Sequence, residues 1–216
     1  MTAPSRWLPL AAGLVPIVAV NLTYSLAATE GHVPWCFPYI ESCTSISATG
    51  RHGAAFIFFK ATMLPAAAFL LAYWHWAGIQ LADLGDRSTI SRRYVPILGT
   101  IATLFMVVYV TALGAVGDHF QLTRRIGIVG YFTGTYLCQL LVTYRFWHIG
   151  EPNILARTMV GVCTAVLVAG FVTLAWDAIS PDYDDVEDAF EWSIALTLQC
   201  WFLLSHWALR PPAPIH

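Results

Sequence analysis

The chain has 216 residues, of which 57% are hydrophobic and only 11% charged. Soluble proteins carry about 25% charged residues, and a water-soluble domain of this size could not hide so much apolar surface. A net charge of -2 and the lack of any basic run exclude an ordinary nucleic-acid-binding surface.

A bilayer core about 30 Å thick needs roughly 20 apolar residues per helix. Six stretches meet that length, at 7–28, 54–81, 94–116, 126–148, 155–177 and 190–209. The first is too long for a signal-peptide core and lacks a convincing cleavage site, so it reads as a retained helix. Its sequon, Asn21-Leu22-Thr23, is therefore out of reach of glycosylation. Cys36 and Cys43 follow in the first outer loop, where an oxidising compartment permits a disulfide; their spacing alone leaves the bond open. The second stretch exceeds a bilayer's need and holds Pro65, which implies a kink or a tilt. In the fourth, Gly127, Gly130 and Gly134 recur three and four apart and share one face, suited to close helix packing in lipid. Cys138, Cys163 and Cys200 lie within spans and read as small packing residues.

The third outer loop carries a dense acidic run with Asp182, Asp184, Asp185, Glu187 and Asp188. Its spacing does not match a calcium-binding helix-loop-helix, and a solvated loop is the simpler reading. His75, His148 and His206 fall at the inner ends of spans two, four and six, each beside tryptophan. Three histidines can ligate zinc, yet the flanking Trp74, Trp76, Trp147 and Trp207 read better as an interfacial aromatic belt. No nucleotide-binding loop, nucleophile elbow or His-Glu-x-x-His motif occurs, and no cofactor or metal is expected.

Orientation follows from Lys and Arg. With the N-terminus inside, Arg6, Arg87, Arg92, Arg93, Arg145, Arg157 and Arg210 lie inside; Arg51, Arg124 and Arg125 lie outside; Lys60 lies within span two. Seven against three places both termini in the cytoplasm. The fold expected is all-α: one transmembrane bundle of six helices occupying 1–216, in a bacterial inner membrane or a eukaryotic endomembrane or plasma membrane.

An ionisable group inside a membrane costs several kcal/mol unless paired or hydrated. Lys60, Asp177 and Glu191 all fall in the outer half of their spans, and Lys60 has the reach to pair with either carboxylate. The plainer alternative is that Lys60 snorkels outward and Glu191 sits at a helix N-terminus, where the dipole favours it. Glu30, His32, Glu41, His52, Asp118 and His119 complete the polar set on that face. Ser45 and Ser47 become nucleophiles only if a base such as His119 approaches them; turn and capping roles are the alternative.

The stretch CFPYIESCTSISATGRHGAAFIFFKATMLPAAAFLLAYW resembles the DRAM/Frag/Sfk family of six-span proteins. The matching features are Pro38-Tyr39-Ile40, the serines Ser45 to Ser47, and Ala72-Tyr73-Trp74. Arg124, Arg125 and Gly127 opening span four, with Glu191-Trp192 in span six, add to the likeness. The last helix departs from it, since His206 lies further from Glu191 than the family's comparable histidine. The resemblance covers nearly the whole chain. It implies a lipid-related role on the outer leaflet, as in GPI-lipid remodelling, lipid organisation or autophagy regulation, with or without catalysis.

The sequence thus points to a protein that binds or remodels lipid in a lateral groove bordered by loop one and the starts of spans two and six. Tyr39, Lys60 and Trp192 are the expected lipid contacts. In an acyl-transfer or hydrolytic reaction, Glu191 or His119 would be the general base and Ser45 or Ser47 the nucleophile, with Asp118 a polar partner. The alternative is a non-catalytic scaffold or accessory subunit whose partners are other membrane-protein subunits. A transporter is third, since no clear inverted repeat is visible.

Overall fold

A computed structural model describes residues 6–149 and 151–210, so the ends of the domain expected over 1–216 lie outside the described residues. No strand occurs among them. The chain runs through α1 (Leu8–Thr29), the short α2 (Pro38–Glu41) and α3 (Ile46–Thr49), and α4 (Gly53–Asp83). A π-helical turn, Ile90–Tyr94, leads into α5 (Val95–Ala112), followed by α6 (Asp118–Trp147) and α7 (Ile154–Ile179). A 3₁₀ turn, Pro181–Asp185, then precedes α8 (Glu187–Ala208).

By length and composition, five helices can cross a membrane: α1, α4, α5 with its π turn, α6 and α7. The sixth apolar stretch forms α8, which matches α1 in length but is more polar. Its Gln199, Ser205 and His206 are buried against neighbouring helices, so the polar groups in its inner half face protein, while its acidic residues gather in the first turns. The helices also outrun the apolar stretches. The α6 helix begins at Asp118 rather than near 126, because a helix continues through polar residues that hydropathy does not count. The α5 helix stops at Ala112, where Leu113 turns extended and Gly114 takes φ +79°.

Neighbouring helices alternate in direction, as their paired ends show. Trp7, just before α1, stacks on His206 near the end of α8 at 6.5 Å. Lys60 early in α4 reaches the carbonyl of Thr111 at the end of α5 (3.1 Å). Trp176 late in α7 meets Phe190 at the start of α8 (6.3 Å). Both ends of the described chain therefore lie at one end of the bundle, and loop one, with α2 and α3, closes the other.

The glycine face of α6 packs on α5. A Cβ at Gly127 would lie 2.7 Å from the backbone nitrogen of Tyr109, and one at Gly134 would lie 2.8 Å from the Cβ of Ala102. Contacts this close need a residue without a side chain. By contrast, Gly161 and Gly170 of α7 have nothing within 4 Å of a would-be Cβ, and α7 leaves Leu167, Phe171 and Leu174 exposed. It is the peripheral helix.

The aromatic-belt expectation needs correction. Trp74 and Trp76 are buried and pack with Tyr73, Trp201 and Phe202 in the interior; Trp207 alone among the belt tryptophans is strongly exposed. Tryptophan next to a histidine near a span's end marks depth, but not which side of the helix faces lipid. The three histidines part company too. His75 faces Thr100, His148 bonds the Tyr144 carbonyl, and His206 meets Arg210. Among the described residues no group of three His, Cys, Asp or Glu side chains could hold a metal.

Most interior polar groups close on one another, as a low-dielectric core demands, although the buried Trp74 Nε1 and Thr135 Oγ1 have no partner among the described residues. The Tyr73 hydroxyl donates to Ser205 Oγ (2.8 Å), Gln139 Nε2 donates to the Leu198 carbonyl (2.9 Å), and Trp201 Nε1 donates to Thr143 Oγ1 (2.9 Å). At the termini end, Asp86 between α4 and the π turn receives both arms of the Arg145 guanidinium at 2.6 and 3.0 Å. That bond holds the Asp86 carboxyl at about 2, well below its ordinary 3.8.

Candidate functional site

Loop one is fastened down by side chains from α1 and α8. The backbone N–H of Cys36 donates to the Tyr24 hydroxyl (2.6 Å), which donates in turn to the Cys36 carbonyl (2.7 Å). Asn21 Nδ2 donates to the Tyr39 hydroxyl (2.9 Å), so the sequon asparagine is occupied inside the protein. Trp192 Nε1 donates to the Thr44 carbonyl (2.8 Å), and the Ala189 N–H donates to Ser42 Oγ (3.2 Å). Cys36 and Cys43 are joined in a disulfide that closes the loop between these anchors.

At the loop's far end Glu30 acts as a remote cap. Both its oxygens accept from the Ala54 N–H, at 3.0 and 3.1 Å, in the first turn of α4. This satisfies a donor the helix cannot. Gly53 makes it possible: its φ is +58°, and a Cβ there would collide with the Glu30 carboxylate.

Beneath this cover lies a narrow, nearly filled cleft with about 40 Å³ of free space. Its walls come from α1 (Pro16, Ile17, Val20), α4 (Phe59, Met63), α5 (Met106, Tyr109), α6 (Ile128, Tyr131, Phe132) and α8 (Glu191, Trp192, Gln199), with Tyr39 and Ile46 as the roof. The lining is almost wholly apolar, but its polar members are placed at depth. Tyr131 accepts from Gln199 Nε2 (3.1 Å). The Tyr109 hydroxyl and Gln199 Oε1 are buried without a hydrogen-bond partner. A buried unpaired polar atom costs about 1–3 kcal/mol, so two in one cleft call for an explanation.

Glu191 sits at the outer rim, partly buried. The backbone N–H of Ser47 faces its carboxylate, Arg51 is the cation acting on it, and Asp188 and Glu187 crowd it with like charge. Arg51 is itself held by Ser47, through Nη2 to Oγ (2.8 Å) and Nε to the carbonyl (3.2 Å). The cleft therefore joins an anionic and cationic rim to an apolar interior with two unused hydrogen-bonding groups. This chemistry suits an amphiphile.

The expected site residues divide. Glu191, Tyr39 and Trp192 line the cleft, although Trp192 is nearly inaccessible and its indole N–H is spent on loop one. Ser45 caps α3 by accepting from the Ala48 N–H (3.1 Å) and lies 3.2 Å from Ser47 Oγ. Ser47 joins the rim through Arg51. Asp118 and His119 stand exposed at the start of α6, and no hydrogen bond links His119 to either serine. Lys60 pairs with neither Asp177 nor Glu191. It bonds the Thr111 carbonyl and lies over the Phe56 ring, 4.3 Å from the centroid, which steadies the C-terminal end of α5. Tyr109, Tyr131, Gln199 and Arg51 were not singled out from the sequence. Gln199, an amide in the middle of a span, was the available signal. No family model, curated protein or solved structure matches this chain.

Proposed function

We propose that this chain is a six-span integral membrane protein, with both termini cytoplasmic, that binds a lipid of the outer leaflet in the cleft beneath loop one. The carrying observation is the pair of unpartnered polar atoms, Tyr109 Oη and Gln199 Oε1, in an otherwise apolar cleft whose rim holds Glu191 and Arg51. In this reading the acyl chain lies along Ile17, Met63 and Met106. Its neck carries a carbonyl, which accepts from the Tyr109 hydroxyl, and an amide N–H or hydroxyl, which donates to Gln199 Oε1, and the headgroup rests at the rim. The cleft is narrow, so admission of a chain needs side-chain movement, which its two methionines provide. The counting of Lys and Arg supports the orientation, and the inward turn of α8's polar residues supports its crossing as the sixth span. The likeness of loop one to the DRAM/Frag/Sfk family supports the same lipid-related reading.

The test is native mass spectrometry of the purified protein, with lipid extraction and an in-vitro acyl-release assay. Expected is one co-purifying lipid, retained by wild type and depleted in Tyr109→Phe and Glu191→Gln. A lipid-free wild type, or full retention by both variants, would sink the proposal. The acyl-release arm decides catalysis: release lost in Glu191→Gln supports an enzyme, and lipid binding without release supports a carrier or scaffold.

A further inference from the structure

A second pocket lies at the opposite end of the bundle, between the last turns of α4 and the start of α5. It holds about 450 Å³ and is open to its surroundings. Its basic lining is His75, Arg92 and Arg93, and its one carboxylate is Asp83. Among the described residues neither arginine is in an ion pair, since the salt bridges there are Arg145–Asp86 and His32–Glu30. The π turn Ile90–Tyr94 sets both arginines on the last turn before α5. Across the pocket, Thr100 Oγ1 donates to the Pro96 carbonyl (2.7 Å) and lies 3.4 Å from His75 Nε2.

We infer that this pocket binds the phosphodiester of an anionic phospholipid from the leaflet on the termini side, with a hydroxyl-bearing headgroup such as glycerol. Arg92 and Arg93 grip the phosphate oxygens, and Asp83 accepts from the headgroup hydroxyl. Charge supports this assignment: two arginines less one aspartate leave a single positive charge, which one phosphodiester neutralises. The wall supports a lipid over a soluble phosphate, because Ile79 and Ile97 line the pocket and stand 53% and 48% exposed where an acyl chain would continue. Basic pockets between helices on the cytoplasmic side are the expected place for such headgroups.

The experiment is lipid titration of the purified full chain, read by native mass spectrometry and thermal melting. It uses phosphatidylglycerol, phosphatidylcholine and inorganic phosphate as separate probes. Phosphatidylglycerol should bind and raise the melting temperature, with phosphatidylcholine weaker. The double variant Arg92→Gln with Arg93→Gln should lose about tenfold or more in affinity, as loss of charge-assisted phosphate contacts implies. Arg157→Gln, an exposed arginine at the same end, should bind as wild type, and melting of the lipid-free variants reports whether each has folded. Equal binding of the two lipids overturns the proposal, as does an undiminished affinity in the folded double variant. Stabilisation by inorganic phosphate equal to that by phosphatidylglycerol also overturns it, in favour of a soluble ligand.

Discussion

Arg145→Met is the sharpest test of how the termini end is held together. Asp86 has a side chain only 1% exposed, and Arg145 is 22% exposed. Asp86 Oδ1 accepts from Arg145 and from the Ser88 N–H (2.9 Å), while Oδ2 accepts from Arg145 and Ser91 Oγ. Holding a carboxyl at about 2 instead of 3.8 corresponds to about 2.5 kcal/mol of folded-state preference at neutral pH. Removing the cation also strands a buried carboxylate, which in a fully buried pair costs about 3–5 kcal/mol. With Arg145 a fifth exposed, about 3 kcal/mol is expected. The sign is fixed by the lowered value: the contribution is complete above 3.8 and disappears as pH falls toward 2. In the variant the carboxyl is no longer held down and protonates earlier, so the stability gap should shrink on acidification. Reversible unfolding in mixed detergent–SDS micelles, followed by tryptophan fluorescence at several pH values, measures it. A variant within about 0.5 kcal/mol of wild type, the ordinary range of a neutral surface change, would refute the reasoning. So would a gap that does not move with pH.

Three further outcomes follow from the packing. Gly127→Ala should destabilise by about 1–3 kcal/mol, as overpacking does, while Gly161→Ala, whose Cβ meets nothing within 4 Å, should not; the same micelle titration compares them. Cys36→Ser should lower stability by about 2 kcal/mol by freeing a short loop of sequence separation 7, and thiol labelling of wild type at these positions should require prior reduction. Tyr109→Phe should leave the lipid-free protein as stable or stabilise it by about 1 kcal/mol, because it removes an unpaired buried hydroxyl. A large loss of stability in that variant would show that the hydroxyl has a structural partner.

Much of this architecture is legible in the chain. Helices occur at all six apolar stretches, and five of them are long and apolar enough to cross a membrane, because helix length against bilayer thickness is a strong constraint. The glycines of α6 announce their face by spacing alone. What sequence could not give is rotation about each helix axis. Trp74 and Trp76 therefore read as an interfacial belt, although they point into the core. Lys60 looked free to cross the bundle to a carboxylate but bonds the next helix at Thr111. The site was half visible: Glu191 stands out as a charge in a span. Tyr109 and Gln199 carry no charge and depend on five helices meeting, which is tertiary information. From sequence, Arg145 counts only toward the inner basic charge, and Asp86 has no assigned role. Their pairing joins residues 59 apart in sequence, and no local pattern encodes it.

The central claim is that a lipid chain occupies the cleft beneath loop one. The direct measurement is photocrosslinking in membranes with a phospholipid bearing a diazirine in its acyl chain, followed by peptide mapping. The account predicts adducts on the cleft residues Ile17, Met63, Met106 and Phe132, reduced in Tyr109→Phe and Glu191→Gln. Adducts confined to outward-facing residues such as Leu104 and Phe171, unchanged in both variants, would contradict it.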